Sequence, residues 1–218
     1  MLRTIRFLMA FCPLLIPILF LAGYLHSGGW VYRSGITLSC LALVACVWFL
    51  RSRPLDMAFI MLAFLFSLAG DAVLGHYSSQ AIGFVAGIVL FLVAHLLYIR
   101  FCLFHGSPSR MVFWVLAAVF LGYYLFCLLP VVRPWVLSLA VLAYIFVSIL
   151  SLSAAWGMGE RGWEKWLFVL GIASLLFSDW LISLSSFMSI YSLKWLIMPT
   201  YFTSQLLVTA SLLSMEKD

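Results

Sequence analysis

The chain has 218 residues, 66% of them hydrophobic and only 9% charged, and a net charge of +5. A soluble domain of this length cannot bury so much apolar surface, so the composition excludes a soluble globular fold and points to an all-α polytopic membrane protein. The basic residues stand scattered at the ends of apolar runs and never cluster, which excludes a nucleic-acid surface and leaves topogenic contacts with membrane lipids.

The first apolar run, 7–25, follows Arg3 and Arg6 in the manner of a signal peptide. It is too long for a typical signal core, contains Pro13 and Pro17, and lacks a small-x-small cleavage site, so it reads as a retained first helix. Seven more runs follow at 34–51, 55–75, 80–103, 111–129, 134–157, 163–187 and 193–214, separated by breaks such as His26-Ser27-Gly28-Gly29, Arg51-Ser52-Arg53-Pro54, Gly75-His76-Tyr77-Ser78 and Arg133-Pro134. Each has about the 17–25 residues that cross a bilayer, which predicts a single eight-helix transmembrane domain over 1–218. The connections are too short for a soluble domain, so any chemistry takes place in or beside the membrane.

Charge sets the orientation. With a cytoplasmic N-terminus, that side receives Arg3, Arg6, Arg51, Arg53, Arg100, Arg110, Arg161, Lys165 and Lys217, and the opposite side only Arg33, Arg133 and Lys194. The bias predicts that both termini are cytoplasmic, which requires an even number of spans. The five cysteines form no CxxC pair and mostly lie inside apolar runs, as small buried hydrophobes do.

Two carboxylates interrupt this pattern: Asp71 in LFSLAGDAVL and Asp179 in LLFSDWLISL. An ionised aspartate near a bilayer centre costs at least about 2.5–3.5 kcal/mol, so each marks a functional position. Both fall about sixteen residues into spans that run in the same direction, which predicts equal depth at a rise of about 1.5 Å per residue. His95 and Gln205 follow them at similar offsets, as a four-plus-four internal repeat would place them. His95 and Tyr98 share a helix face, as do Tyr201 and Gln205, while Ser67 and Ser178 lie beside the aspartates. These six residues are the predicted cavity lining, with His95 about 10 Å deeper than Asp71 by residue count. Gly70, Gly83 and Gly87 read as points of close helix approach, and Gly70 also as room for water beside Asp71. His76 and His105 fall at predicted loops. A zinc site from Asp71, Asp179 and His95 has suitable ligand types but no tight motif, and no GxSxG, HExxH, P-loop or dinucleotide fingerprint occurs. No metal or cofactor is expected.

Phe66-Ser67-Leu68-Ala69-Gly70-Asp71-Ala72-Val73-Leu74, with Phe84-x-x-Gly87 and Phe91-x-x-x-His95-x-x-Tyr98, resembles the first signature of the YhhN family. Phe177-Ser178-Asp179, Phe187 and Thr200-Tyr201-x-x-x-Gln205 resemble the second. The chain departs from the family pattern at Arg33-Ser34-Gly35, where a basic residue with proline is common, and at His76, where an apolar residue is usual. The resemblance implies a lysoplasmalogenase-like enzyme of the bacterial inner membrane that hydrolyses the vinyl ether of a lysophospholipid to a fatty aldehyde and glycerophosphocholine or glycerophosphoethanolamine. Such chemistry requires one carboxyl that donates a proton and a nearby carboxylate that stabilises a cation and activates water. A non-enzymatic lipid or solute carrier, binding through the acidic pair, is the alternative that the same residues leave open.

Overall fold

The computed structural model describes residues 12–51, 56–77, 80–159 and 162–215. Within them the chain forms eight α-helices: α1 (Leu15–Ser27), α2 (Trp30–Arg51), α3 (Asp56–Tyr77), α4 (Ala81–His105), α5 (Arg110–Tyr123), α6 (Trp135–Trp156), α7 (Trp163–Phe187) and α8 (Ile197–Ser214). Seven are long and apolar enough to cross a membrane, counting the turns that extend α5 to Leu128 and start the last span at Lys194. The first, with its opening turn, covers Cys12–Ser27 and is shorter. The predicted start of the first run, the break at Ser52-Arg53-Pro54 and the charges of Arg3, Arg6, Arg161 and Lys217 lie outside the described residues.

Local chemistry explains the boundaries. Gly28 adopts φ 67°, the left-handed region that only glycine enters without cost, and its N–H caps the carbonyl of Tyr24. That turn is so tight that α2 begins at Trp30, earlier than the expected residue 34, and Arg33 therefore lies within a helix. α5 passes into a π-helical turn at Tyr124–Leu128, where the N–H of Leu129 reaches the Tyr124 carbonyl at 2.8 Å.

Six helices close into a ring, in the order α2, α3, α4, α6, α7, α8 and back to α2. α1 packs outside α2 and α8, and α5 packs outside α6. Adding four to each helix number carries every ring contact onto another ring contact. No residue of α5 within Arg110–Tyr123 is buried, and side chains such as Met111 (79% exposed) and Phe126 (83%) point outward, as lipid-facing residues do.

Part of the ring's interior is a dry aromatic plug. Phe101 and Phe168 stack at 5.1 Å and Tyr98 meets Phe168 edge-on at 6.4 Å, all three buried. Glycines set the close approaches. A Cβ at Gly70 would lie 2.7 Å from Phe91 Cε2, and one at Gly87 would strike Leu74, so the C-terminal half of α3 and the N-terminal half of α4 pack tightly. At their opposite ends Asp56 pairs with His105 at 3.5 Å, and Arg100 lies 4.5 Å above the Phe104 ring. His105, expected to need no special account, thus ties two helix ends together.

Candidate active site

Asp179 sits on the inner face of α7, and its side chain is 14% exposed. The Tyr144 hydroxyl, from α6, donates to its Oδ2 at 2.8 Å. His95 Nε2, from α4, stands 3.4 Å from the same oxygen, long for a hydrogen bond. The imidazole is fully buried and is held edge-on by Tyr144 at 5.4 Å and Tyr98 at 6.2 Å. With Oδ2 engaged, Oδ1 makes no hydrogen bond among the described residues and is the oxygen free to give or take a proton.

Asp71, on α3, has different neighbours. The Tyr201 hydroxyl, from α8, lies beside its carboxyl and beside Ser67, yet completes no hydrogen bond among the described residues. Arg33, from α2, is close enough to act on Asp71 electrostatically. Each aspartate is therefore met by one side chain from the helix before it and one from a helix across the ring. Tyr98 lies between the two groups, with its hydroxyl beside Ser67 and within electrostatic reach of both Tyr144 and Tyr201.

One expected depth needs correction. Asp71 lies fifteen residues into α3 and Asp179 sixteen into α7, and the Phe91 ring packs on Gly70 beside Asp71. His95, expected to lie about 10 Å from this level, reaches Asp179 because the ends of α4 and α7 are not level: α7 continues eight residues beyond Asp179, whereas His95 lies fourteen residues into α4.

The other predicted residues divide. Tyr98, Ser67, Tyr201 and Gln205 are all buried inside the ring. Gln205 accepts a hydrogen bond from the Thr37 hydroxyl at 2.9 Å. Ser178 faces away from the carboxylates and donates to the Ile197 carbonyl at 3.0 Å, joining α7 to the start of α8. Gly70 leaves no room for water on its open side, because the Phe91 ring fills it. Asp179 and His95 come together, and no group of three or more His, Cys, Asp or Glu side chains capable of holding a metal forms among the described residues.

Tyr144, Thr37 and Arg33 were not singled out from the sequence as site residues. Their signal was a spacing. Arg33, Thr37 and Cys40 on α2 and Tyr144, Ser148 and Ser151 on α6 repeat the same i, i+4, i+7 spacing within mainly apolar helices.

Asp179 and Tyr144 line a cleft between α4, α5, α6 and α7, with Leu74 of α3 also in its wall. Its other walls are mainly apolar, including Ile88, Phe91, Val141 and Leu176, and Trp180 adds an indole face. Asp71 is not among its lining residues. A mainly apolar wall with a single carboxyl is the kind of lining that suits a hydrocarbon chain.

A family model described as the YhhN family matches residues 33–212, which include both aspartates, the cleft, four of the six ring helices whole and nearly all of α2 and α8. The chain belongs to the YhhN family. No curated protein and no solved structure matches it. The match begins at Arg33, so the residues of matched spacing on α2 and α6 and both aspartates of this YhhN chain fall inside the family region, and α1 falls outside it.

Proposed function

We propose that this YhhN-family chain is a membrane-embedded hydrolase that cleaves the vinyl ether of a lysoplasmalogen, releasing a fatty aldehyde and glycerophosphocholine or glycerophosphoethanolamine. The observation that carries the reading is Asp179: a carboxyl with one free oxygen, in the wall of a mainly apolar cleft. A single alkenyl chain lies in that cleft with its vinyl ether against the carboxyl.

The chemistry follows from these positions. Asp179 Oδ1 transfers its proton to the vinyl carbon next to the ether-bearing one, and the π electrons form the new C–H bond. The ether oxygen's lone pair completes an oxocarbenium ion, which the negative charge of Asp71 stabilises electrostatically. Water adds to the cationic carbon and loses a proton to the Asp71 carboxylate. The hemiacetal then collapses, its hydroxyl proton leaving as the glycerol oxygen gains one, and the C–O bond breaks to give aldehyde and alcohol. Asp179 ends ionised and Asp71 protonated, and proton exchange with solvent restores both.

Tyr144 and His95 act as positioning residues, since both hold Asp179 by Oδ2. Tyr144→Phe removes a hydrogen bond to the carboxyl, worth about 1.5–3 kcal/mol where the acceptor is charged. The expected result is a fall of about ten-fold or more in kcat, with the protein still folded. Steady-state aldehyde release by the purified variant measures it, and an unchanged kcat would remove Tyr144 from the site.

The decisive assay is aldehyde release from lysoplasmalogen by purified protein in micelles. Protein that releases none, but moves the lipid between liposomes, would be a carrier instead. The proposal includes a bacterial inner membrane and, from the distribution of basic residues, cytoplasmic termini. Reporter fusions at both ends are expected to show cytoplasmic activity, and an external C-terminus would reject the arrangement. We also propose a four-plus-four repeat, supported by the matched spacing on α2 and α6 and by ring contacts that recur four helices on.

A further inference from the structure

Buried side-chain atoms that complete no hydrogen bond among the described residues are His95 Nδ1, Ser148 Oγ, Ser151 Oγ, Tyr201 Oη, Ser204 Oγ and Gln205 Nε2. All belong to α4, α6 and α8, three helices of the ring. A buried polar atom left dry costs about 1–3 kcal/mol. Together they would offset most of the roughly 5–15 kcal/mol that keeps a domain folded. A partner that can reach several of these atoms is required, and the smallest with both donors and acceptors is water.

Three of the atoms lie on two helices whose side chains meet inside the ring. The rings of Phe91 on α4 and Tyr201 on α8 meet edge-on at 6.0 Å. His95 lies one turn beyond Phe91, and Gln205 one turn beyond Tyr201. The chain reverses direction at each connection, so α4 and α8 run the same way, and His95 and Gln205 each lie one turn further along from that contact. Both are buried, at 0% and 1% exposure. His95 turns Nε2 to Asp179, which leaves Nδ1 on the ring's other side. Thr37 holds one polar atom of the Gln205 amide, and either assignment of that amide leaves the other atom without a partner. The Tyr201 hydroxyl completes the group and adjoins Asp71.

We infer that His95 Nδ1, the Gln205 amide and the Tyr201 hydroxyl hold a water molecule, and that this water is the nucleophile of the hydrolysis. The inference rests on the proposed vinyl ether chemistry and adds a division of the site. The hydrocarbon enters on the apolar side of Asp179, and water waits on the polar side, between the two aspartates. In the capture step the water oxygen bonds to the oxocarbenium carbon. Its proton passes to the Asp71 carboxylate, which lies beside the Tyr201 hydroxyl. Gln205 and Tyr201 are positioning residues for that water.

The test uses D2O, because a stranded oxocarbenium ion reverts by losing a proton from the carbon just protonated. Intact protein, stopped at partial conversion, is expected to return unlabelled lysoplasmalogen, since capture outruns reversal. Gln205→Met, similar in size but unable to hold water, is expected to lower kcat roughly ten-fold or more without changing KM. Its recovered substrate is expected to carry deuterium at the vinyl carbon remote from the ether oxygen. Thr37→Val, which frees the amide, is expected to shift both readouts the same way by less. A kcat that falls without deuterium in the substrate marks a purely structural role and overturns the proposal, as does an unchanged kcat in both variants. A separate measurement needs no substrate: an experimental map of the purified protein with water bonded to His95 Nδ1 and the Gln205 amide supports the site, and a dry gap there overturns it. Should the intact protein release no aldehyde, the hydrolase reading fails, and the map alone decides the water site.

Discussion

Asp179→Asn and Asp71→Asn are each expected to lower aldehyde release by at least about 10²-fold while leaving the fold intact, because asparagine keeps the volume but cannot give or take the catalytic proton. The two losses have different origins. Asp179 lines the cleft and has one oxygen fixed by Tyr144, so asparagine there leaves the vinyl carbon without its acid. Asp71 lies outside the cleft, beside Tyr201 and within reach of Arg33, and in the proposed mechanism asparagine there removes the charge that stabilises the cation and accepts the water proton. Intact protein should show a solvent deuterium isotope effect above one, since proton transfer to carbon is slow. Near-normal turnover in both well-folded variants would eliminate the mechanism, and loss in Asp179→Asn alone would remove Asp71 from it.

The largest expected effect on stability lies at the far end of the ring, where two connections lock together. Ser109 N–H donates to the Ser153 carbonyl at 3.0 Å, the Ser153 hydroxyl donates to the Ser109 carbonyl at 2.9 Å, and Gly159 N–H donates to the His105 carbonyl at 2.7 Å. Gly157 stands in the middle with φ −83°, a conformation open to any residue. Its constraint is space alone. A Cβ there would overlap the Ser107 carbonyl oxygen and come within 3.0 Å of Ser109 N, both backbone atoms that no rotamer change can move. Gly157→Ala should therefore cost about 1–3 kcal/mol, the usual range for overpacking. At roughly 2–4 °C per kcal/mol for a chain of this size, Tm falls by several degrees. Thermal unfolding in micelles measures it, with Gly122→Ala as the control, because a Cβ at Gly122 meets nothing within 4 Å. Equal melting of both variants would show that the clamp does not limit stability.

Which parts of this were legible in the residues follows from where each signal is stored. The helices were legible because lipid imposes a length and an apolar composition on each span independently of its neighbours. The predicted run 163–187 coincides with α7. The start of α2 was misplaced because Arg33 looked like a terminus, whereas it lies inside the helix and acts on Asp71. Asp71 and Asp179 stood out because an ionisable group in an apolar run needs a reason that no local effect supplies. Tyr144 did not stand out, since a tyrosine in a membrane helix is common and its hydroxyl acquires a role only when α6 turns it toward α7.

Sequence alone determined that the chain is helical and membrane-like, that it resembles the YhhN family, and that two aspartates interrupt its apolar spans, because composition and one-dimensional spacing carry all three. Only the tertiary structure decided which side chains meet those aspartates. It gave Asp179 to Tyr144 and His95, Asp71 to Tyr201 and Arg33, and turned Ser178 away to bind a backbone carbonyl. The reason is geometric: helical period fixes which residues share a face, while the rotation and axial shift of each helix come from packing, here from Phe91 seated on Gly70 and from Val208 lying against Gly171. With the helices so placed, Asp179 lines the cleft and Asp71 does not.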